Sequence, residues 1–349
     1  MSLLSRVLRA RLTKALGWTV LTALVIGTTY EECGRRADRA RLPRIGQAVD
    51  IGGRSLTIDC AGEGQPVVVL DSGANSSGYA WAQIQSRIAP LTRTCWYDRA
   101  GEGWSDPGPF PRTSAAIASD LHALLTRAAI PPPYVLVGHS FGGLNVRVYT
   151  GHYPSEVAAL VLVDSAHEDE PRRAPPFMLG PKPPRMLWRP LDWLFRASAR
   201  VGLVRLTKPA VPLSPDPSRR MRAEIVEALR NRPQTVATVA ATGVVAPDSY
   251  EQARAAGGLG DRPLIVLTRG KLPEPTGDPA IDRAAADYQR RWMHELQAQL
   301  ARLSTRGRQV IVDSSGHGIP EEAPDAVIDA IRDVVAAVRQ PRGASENTR

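Results

Sequence analysis

The residues best suited to carry chemistry are a serine held between two glycines and a histidine near the end of the chain. The serine, Ser140, is the centre of the pentapeptide GHSFG at positions 138–142, which follows the apolar run YVLV. Between a strand and a helix, this G-x-S-x-G spacing makes a sharp turn in which a side chain at either glycine would clash, and it presents the serine oxygen at the helix N-terminus. The spacing therefore predicts a nucleophile at Ser140.

A serine hydroxyl needs a base to take its proton, and His317 is the histidine best placed to do so. Among the six histidines, it alone follows the last predicted strand, in SGHG, where a loop can deliver the ring to the serine. His122 and His294 fall within helical patterns, and His139 beside the nucleophile is expected to shape the neighbouring pocket. The pair Ser140 and His317 therefore indicates nucleophilic acyl chemistry.

The elements that must position this pair alternate between short apolar strands and amphipathic helices. The strand signals are runs of Val, Ile and Leu, and they follow a predicted hairpin; the hairpin and the strands cover 47–60, 67–71, 94–98, 134–137, 160–164, 263–268 and 309–313. Helical spacing occupies 81–91, 115–129 and 325–338, and a long helix ends near Ser304. This alternation predicts an α/β fold with a doubly wound, mostly parallel sheet.

Strand signals vanish between 165 and 260, where prolines are frequent and a helix is predicted near 218–231. This stretch is interpreted as a cap or lid inserted into the sheet domain. The predicted division of the chain is an N-terminal anchor and linker, the first part of the core, the cap, the second part of the core and a flexible tail; their bounds are 1–40, 41–164, 165–260, 261–340 and 341–349.

Composition is that of an ordinary globular protein, with 349 residues, 43% hydrophobic and 23% charged. The formal charge of +9 would suit nucleic acid or an anionic membrane. Much of the excess, however, lies in the terminal segments and in a Pro/Arg-rich stretch around 171–232, without a basic stripe interleaved with aromatic residues. Nucleic acid is therefore not predicted as a partner, and the oligomeric state is left open.

The N-terminus combines a basic start with an apolar run over 15–30, the arrangement that targets a chain for export. The run is shorter than the roughly 20 residues of a full bilayer span, so a tilted signal anchor and a cleaved signal segment are both open. No A-x-A cleavage site follows, which favours an uncleaved membrane anchor with the catalytic domain outside the cytoplasm. Five arginines between 35 and 44, on the far side of the run, weaken the positive-inside bias that supports this orientation.

Five motifs in order make the chain similar to the α/β-hydrolase superfamily over about residues 45–340, and most of all to its cap-bearing, esterase-like members. The motifs are LDSGANSSGYAW, YDRAGEGWSD, VGHSFGGLNVR, LVLVDS and SGHGIPEEAPDAVIDAI. The resemblance implies eight strands, with the second antiparallel to the rest and beside the fourth. That neighbourhood would bring Cys60 close to Cys95, as a disulfide or as two buried thiols.

The resemblance also implies a carboxylate that orients the histidine, placed after strand seven or, in a minority, after strand six. Strand seven is followed by TRGKLPEPTGD, which lacks the family's early aspartate. Asp164, ending LVLVD, is therefore the predicted acid, although many relatives carry an aspartate there that only caps a turn. Glu274 and Asp278 remain the alternatives.

Two backbone N–H groups are expected to stabilise the oxyanion of an acyl intermediate. One belongs to Phe141, directly after the nucleophile. The other is assigned to Ala74, because Ser72 and Gly73 stand in place of the family's His-Gly. The charged pair in YDRAG is expected to brace this loop.

The resemblance and the residues together predict a carboxylic ester hydrolase that acts on a small acyl substrate through an acyl-serine intermediate, without a metal or organic cofactor. Ser140 argues against the epoxide hydrolase and haloalkane dehalogenase branches, which use an aspartate nucleophile. Lactonase, thioesterase, C–C hydrolase, cofactor-free haloperoxidase or acyltransferase chemistry remains open. So does a non-catalytic, membrane-tethered ligand-binding protein or interaction protein.

Nine apolar residues of the predicted cap admit three interpretations. They can line an acyl site, lie on lipid, or form a small core of the cap itself. The nine are Phe177, Met178, Leu179, Leu187, Trp188, Leu191, Trp193, Leu194 and Phe195.

Overall fold

One sheet of eight strands organises the structure, a computed structural model that describes residues 3–42, 44–179, 183–207, 217–230 and 232–340. The strands are β1 (Gln47–Asp50), β2 (Ser55–Ala61), β3 (Val67–Asp71), β4 (Thr94–Tyr97), β5 (Tyr134–His139), β6 (Val157–Val163), β7 (Leu264–Arg269) and β8 (Gly307–Val312). The tail predicted over 341–349 lies outside the described residues.

The strand order is β1-β2-β4-β3-β5-β6-β7-β8, and only the pairs that involve β2 are antiparallel. The predicted eight-stranded, mostly parallel α/β sheet, with β2 antiparallel and beside β4, is therefore confirmed. Cys60 lies opposite Cys95 in this register, and a disulfide joins the two residues.

Helices cover both faces of the sheet and occupy much of the described chain between β6 and β7. They are α1 (Leu3–Arg41), α2 (Ala82–Ile88), α3 (Ser114–Arg127), α4 (Phe141–His152), α5 (Glu170–Arg173), α6 (Trp188–Arg200), α7 (Leu203–Thr207), α8 (Pro217–Arg230), α9 (Pro233–Val244), α10 (Ala246–Ala255), α11 (Pro279–Arg291), α12 (Gln297–Ala301), α13 (Ile319–Glu322) and α14 (Pro324–Arg339). A π-helical stretch, Trp292–Leu296, links α11 to α12. Short 3₁₀ turns lie at Gly78–Trp81, Pro154–Glu156, Pro176–Met178 and Arg185–Leu187.

Continuous apolar strands are explained by burial on both faces. In β3, Val67 and Val69 belong to one core cluster with residues of α3 and α4. Val68 and Leu70 belong to a second cluster with residues of α2 and α14. Alternate side chains of a strand point to opposite faces, so one run of VVVL supplies two hydrophobic layers.

The region between β6 and β7 is helical in its described parts, as the loss of strand signals predicted. Its nine apolar residues do not form a core of their own, because none of them is buried. Trp193 is 70% exposed, and Phe177 and Leu194 are each 53% exposed. Helix α6 does pack on α9, but it buries Asp192 and Ala199 rather than its large apolar side chains.

The N-terminal helix α1 is longer than the apolar run predicted there, because helical sequence continues through the arginine-rich stretch that follows. Its part Arg11–Ala40 is long and apolar enough to cross a membrane, although a signal sequence passes the same test. Beyond the apolar run, Arg205 of α7 pairs with Glu31 at 2.9 Å and Asp38 at 2.8 Å. These contacts dock the polar end of α1 against the helical insertion.

Candidate active site

A strained turn between β5 and α4 presents Ser140. Its backbone has φ of +52° and ψ of −120°, a conformation that is costly for a residue with a side chain and is found at functional sites. A Cβ at Gly138 would lie 2.6 Å from the Gly142 carbonyl oxygen, and a Cβ at Gly142 would lie 2.5 Å from the Asp71 carbonyl oxygen. Both glycines are therefore sterically required, as their spacing predicted.

The loop between β8 and α13 carries His317 to this turn. Its Nε2 lies 3.0 Å from Ser140 Oγ. Its Nδ1 lies 2.6 Å from Oδ2 of Asp164, so the imidazole bridges the serine and the carboxylate across 177 positions of sequence. A neutral ring that donates from Nδ1 to Asp164 leaves Nε2 free to accept the serine proton.

The carboxylate of Asp164 is fully buried at the end of β6, where it accepts hydrogen bonds from two further side chains. Trp292 Nε1 donates to Oδ1 at 2.7 Å, and Arg269 Nη1 donates to Oδ2 at 2.7 Å. Burial acts to raise the pKa of Asp164, but the hydrogen bond from His317 and the charge of Arg269 outweigh burial and hold the pKa below its usual value. The group is therefore ionised at neutral pH.

The two alternative acids lie elsewhere. Glu274 is 82% exposed and pairs with Lys271 at 3.3 Å. Asp278 caps the N-terminus of α11, where its side chain accepts from the Ala280 N–H at 2.8 Å. The structure thus brings Asp164, and neither of these residues, against His317.

The predicted oxyanion donors border the turn. Phe141 is the first residue of α4, so its N–H is one of the first-turn donors that no carbonyl of the same helix accepts. Ala74 lies in the loop after β3. Arg99 donates to the carbonyl oxygens of Ser72 and Gly73 just before it, and this pairing fixes the path of the loop.

Arg99 is itself held by two buried carboxylates. Asp71 lies 2.6 Å from its Nη1, and Glu102 lies 2.7 Å from its Nη2. Next to it, the carboxylate of Asp98 accepts from the N–H groups of Gly78 at 2.7 Å and Trp104 at 2.9 Å. The charged pair in YDRAG therefore braces the loop, as expected.

His139 supports the loop that carries His317. Its Nε2 lies 2.9 Å from the carbonyl oxygen of His317. Burial lowers the pKa of His139 to about 4, so its ring is neutral at pH 7 and donates from that nitrogen. Glu322 holds the same loop from the other side by accepting from the Gly316 N–H at 2.8 Å.

Sequence reasoning missed Arg269, Trp292 and Glu322. Arg269 ends β7, beside β6, so its position at the same sheet edge as Asp164 was a usable signal. Trp292 approaches from the helical stretch after β7, for which no local motif exists. A salt bridge below the site was missed as well: Arg147 of α4 contacts Glu168 through two hydrogen bonds of 2.6 and 3.0 Å.

Within the described ranges, no group of three or more His, Cys, Asp or Glu side chains is placed to hold a metal ion. The side chains gathered at Ser140 are suited to proton transfer and nucleophilic attack.

A sequence model of the alpha/beta hydrolase family matches residues 67–330, well over half of the chain. An AB hydrolase superfamily protein of Gibberella zeae is 32% identical over 108 residues, which cover 30% of this chain and 34% of that protein. A probable transporter of Hormonema carpetanum, efuK, is 33% identical over 34% of this chain and 18% of its own length. An uncharacterized vacuolar membrane protein of Saccharomyces cerevisiae is 36% identical over 30% of this chain and 17% of its own length. The chain thus spans about a third or less of these relatives.

Solved structures share the fold at low sequence identity. A probable hydrolytic enzyme of Pseudomonas aeruginosa PAO1 has a TM-score of 0.60 and 19% identity, covering 84% of this chain and 95% of its own. A thermophilic esterase of Thermogutta terrifontis has a TM-score of 0.55 and 21% identity, covering 85% of this chain and 100% of its own. The epoxide hydrolase CorEH has a TM-score of 0.56 and 20% identity, covering 84% of this chain and 99% of its own. With the extent of the family match, the sheet order and the turn at Ser140, these findings show that the chain belongs to the alpha/beta hydrolase family.

Proposed function

We propose that this hydrolase cleaves carboxylic esters through an acyl-serine intermediate, with Ser140 as nucleophile, His317 as general base and Asp164 as the acid of the triad. One observation carries the proposal. A single imidazole contacts the strained serine at 3.0 Å and a buried, ionised carboxylate at 2.6 Å. This is the geometry that activates a hydroxyl for attack on a carbonyl.

In the first half of the reaction, Ser140 Oγ attacks the ester carbonyl carbon while its proton passes to Nε2 of His317. The resulting oxyanion accepts hydrogen bonds from the N–H groups of Phe141 and Ala74. Collapse of this intermediate breaks the bond to the alcohol oxygen, and His317 gives its proton to that oxygen. In the second half, His317 takes a proton from water, the hydroxide attacks the acyl carbon, and the acid leaves as Ser140 regains its proton.

The environment of Asp164 supports its role as an orienting anion. Charge that develops on His317 is stabilised by a carboxylate that stays ionised, and the bonds from Arg269 and Trp292 keep that carboxylate in place. Arg269 also stacks over the Trp292 ring, with its guanidinium carbon 4.5 Å from the ring centroid. Neither Arg269 nor Trp292 takes part in proton transfer.

The remaining parts of the chain complete the proposal. Residues 165–260 form a cap beside the site, and residues 1–40 anchor the protein in a membrane, with the catalytic domain outside the cytoplasm. The cap is supported by the helical content of the insertion and by its exposed apolar side chains. The anchor is supported by the length and hydropathy of α1.

The test uses the full chain in dodecyl maltoside. A fluorophosphonate probe is expected to form an adduct on Ser140, located by peptide mass spectrometry, and esters from acetyl to palmitoyl are expected to be cleaved with a preference for one chain length. S140A should lose both signals, and S86A, a serine change on α2, should keep both. Absence of an adduct on folded protein contradicts the proposal and favours a non-catalytic ligand-binding protein.

Product analysis with water and with alcohol acceptors separates hydrolysis from acyl transfer. A lactone or thioester that is turned over at least about a hundredfold faster than every ester, a preference of about 2.7 kcal/mol in transition-state binding, would replace the ester as substrate class while leaving the roles of Ser140 and His317 intact.

A further inference from the structure

A cavity of about 560 Å³ lies between α1, the loop after β4, and helices α6, α7 and α9. Seven arginines line it, against three carboxylates. Ser140, His317 and Asp164 are not among its lining residues, so this arginine cavity is a separate site from the proposed catalytic one.

The three lining carboxylates do not balance the seven arginines, although Arg35 also pairs with Glu32 at 3.6 Å, outside the cavity lining. Glu31 and Asp38 both pair with a single arginine, Arg205. The third carboxylate, Asp106, accepts from the backbone N–H of Ser55 at 2.8 Å. Arg39 and Arg200 have no carboxylate partner among the described residues.

Two more lining arginines are only partly satisfied. Arg232 donates to the Gly103 carbonyl oxygen at 2.9 Å, and burial followed by the nearby positive charges of Arg39 and Arg44 lowers its pKa despite opposing carboxylates. Arg196 pairs through Nε with Asp192 at 2.8 Å, but its Nη2 is buried and has no hydrogen-bond partner in the described part of the chain. A buried donor without a hydrogen-bond partner is costly.

The cavity lies next to the end of the apolar part of α1. Gly27, in the last turns of the apolar run, packs so closely on α6 that a Cβ there would lie 2.4 Å from the Val201 carbonyl oxygen. One turn later Glu31 lines the cavity. On the neighbouring α7, Leu203 is 51% and Leu206 is 68% exposed. If residues 15–30 lie in a bilayer, the cavity faces the level of the lipid headgroups.

We propose that the arginine cavity binds a phosphate monoester anion, supplied as the headgroup of an anionic phospholipid or as a soluble phosphate. Guanidinium groups suit this ligand because each can donate two parallel hydrogen bonds to phosphate oxygens. Several cations around one anion also match the two negative charges of a phosphate monoester. The site is independent of ester cleavage, since it shares no lining residue with the triad.

The test titrates the full chain in dodecyl maltoside by calorimetry with three probes: inorganic phosphate, dihexanoyl phosphatidic acid and dihexanoyl phosphatidylcholine. Inorganic phosphate and phosphatidic acid are expected to bind. Phosphatidylcholine is expected to bind at least about tenfold more weakly, because its choline cation is repelled by the arginines. Phosphatidic acid binding tenfold tighter than phosphate identifies a lipid headgroup; equal affinities identify a soluble phosphate. Binding of neither anion overturns the proposal.

Matched variants locate the site. R39Q/R232Q is expected to weaken binding of the anions by about tenfold or more, because each charged hydrogen bond lost is worth at least that factor. R308Q/R332Q removes the same charge from exposed positions on β8 and α14 and should change affinity by less than about twofold. Equal losses of anion affinity in the two double variants would overturn the assignment of the binding site to the arginine cavity.

Single changes guard against misfolding of the double variant. R39Q alters only an exposed side chain and is expected to weaken binding by about tenfold, the loss of one charged hydrogen bond. R232K keeps the charge but replaces the paired guanidinium donors by one ammonium group, so it should weaken binding by less than the double variant does. An unchanged affinity in R39Q together with a normal melting temperature contradicts the proposal.

Discussion

The Ser140 site and the arginine cavity are both rich in charged side chains, but they balance charge in different ways. At the Ser140 site, the Asp164 carboxylate is hydrogen-bonded to His317, Arg269 and Trp292. Arg99 forms salt bridges with both Asp71 and Glu102. In the cavity, cations outnumber carboxylates, and one buried guanidinium nitrogen has no partner among the described residues.

This difference separates two uses of charge. Fully paired groups hold a fixed geometry before any ligand arrives, which is the preorganisation that catalysis needs. Arginines that have no carboxylate partner in the described chain can attract and bind an anion. If the comparison is right, changes at the first region alter turnover or global stability, and changes at the second alter binding or the docking of α1.

The largest effect is expected from S140A. Loss of the nucleophile should lower kcat for ester cleavage by about 10⁴- to 10⁶-fold, because the triad acts as a unit. Steady-state assays on a short-chain ester measure this, and calorimetric phosphate binding on the same sample should be unchanged. A parallel loss of both properties would mean that the two regions are not separate.

The next largest effect is expected from D164N, which places an amide against His317 and favours the wrong tautomer. Turnover should fall by about 10⁴-fold. D278N and E274Q, at the two alternative positions, should each retain turnover within about twofold, and D278N should keep its free energy of unfolding within about 0.5 kcal/mol, because Asn caps a helix about as well as Asp. Near-full activity in D164N would remove Asp164 from the triad.

A smaller effect, on stability, is expected from E168Q. Burial acts to raise the pKa of Glu168, but the hydrogen bonds and charge of Arg147 more than offset it and hold the pKa at about 2. Because the folded pKa lies below the usual 4.5, the salt bridge stabilises the native state above about pH 4.5 and loses this effect as the pH falls toward 2. Removing the carboxylate leaves Arg147 buried without its partner, at a cost of about 3–5 kcal/mol near neutral pH.

Urea unfolding between pH 2 and pH 7 measures this prediction. The parent should lose stability steadily below pH 4.5, and E168Q should lose less over the same interval. E251Q, an exposed glutamate change on α10, should reproduce the parent curve. A parent-like pH profile in E168Q would show that the salt bridge does not govern acid stability.

The smallest effect is expected from R205Q, which breaks the pairs that dock α1. Amide hydrogen exchange in residues 31–41 should speed up by about tenfold, since charged hydrogen bonds contribute about 1.5 kcal/mol or more. Ester turnover should stay within about twofold, because Arg205 lines the arginine cavity, to which Ser140, Asp164 and His317 do not belong. R200Q, at an arginine without a carboxylate partner in the described chain, should leave exchange unchanged; equal exchange rates in both variants would argue against this docking role.

Local sequence determined the elements and the turn. Apolar runs such as VVVL at 67–70 carry enough β-branched residues to form buried strands, and the glycine at 138 is required by a contact within the turn, with the Gly142 carbonyl oxygen. The contact that requires Gly142 comes from the Asp71 carbonyl oxygen of β3 and is therefore tertiary. The same local information predicts Ser140 as a nucleophile, since one strand, one turn and one helix suffice to expose it.

Only the tertiary structure decided which partners meet across the chain. Asp164, Glu274 and Asp278 were all compatible with the order of residues, and the contact with His317 depends on how β6, β7 and β8 align at their carboxyl ends. The exposure of Trp193 and the charge imbalance of the arginine cavity likewise depend on how α1, α6 and α9 pack. The physical reason is that periodicity and turn chemistry act within a few residues, whereas burial and ion pairing are set by groups that folding brings together from distant positions.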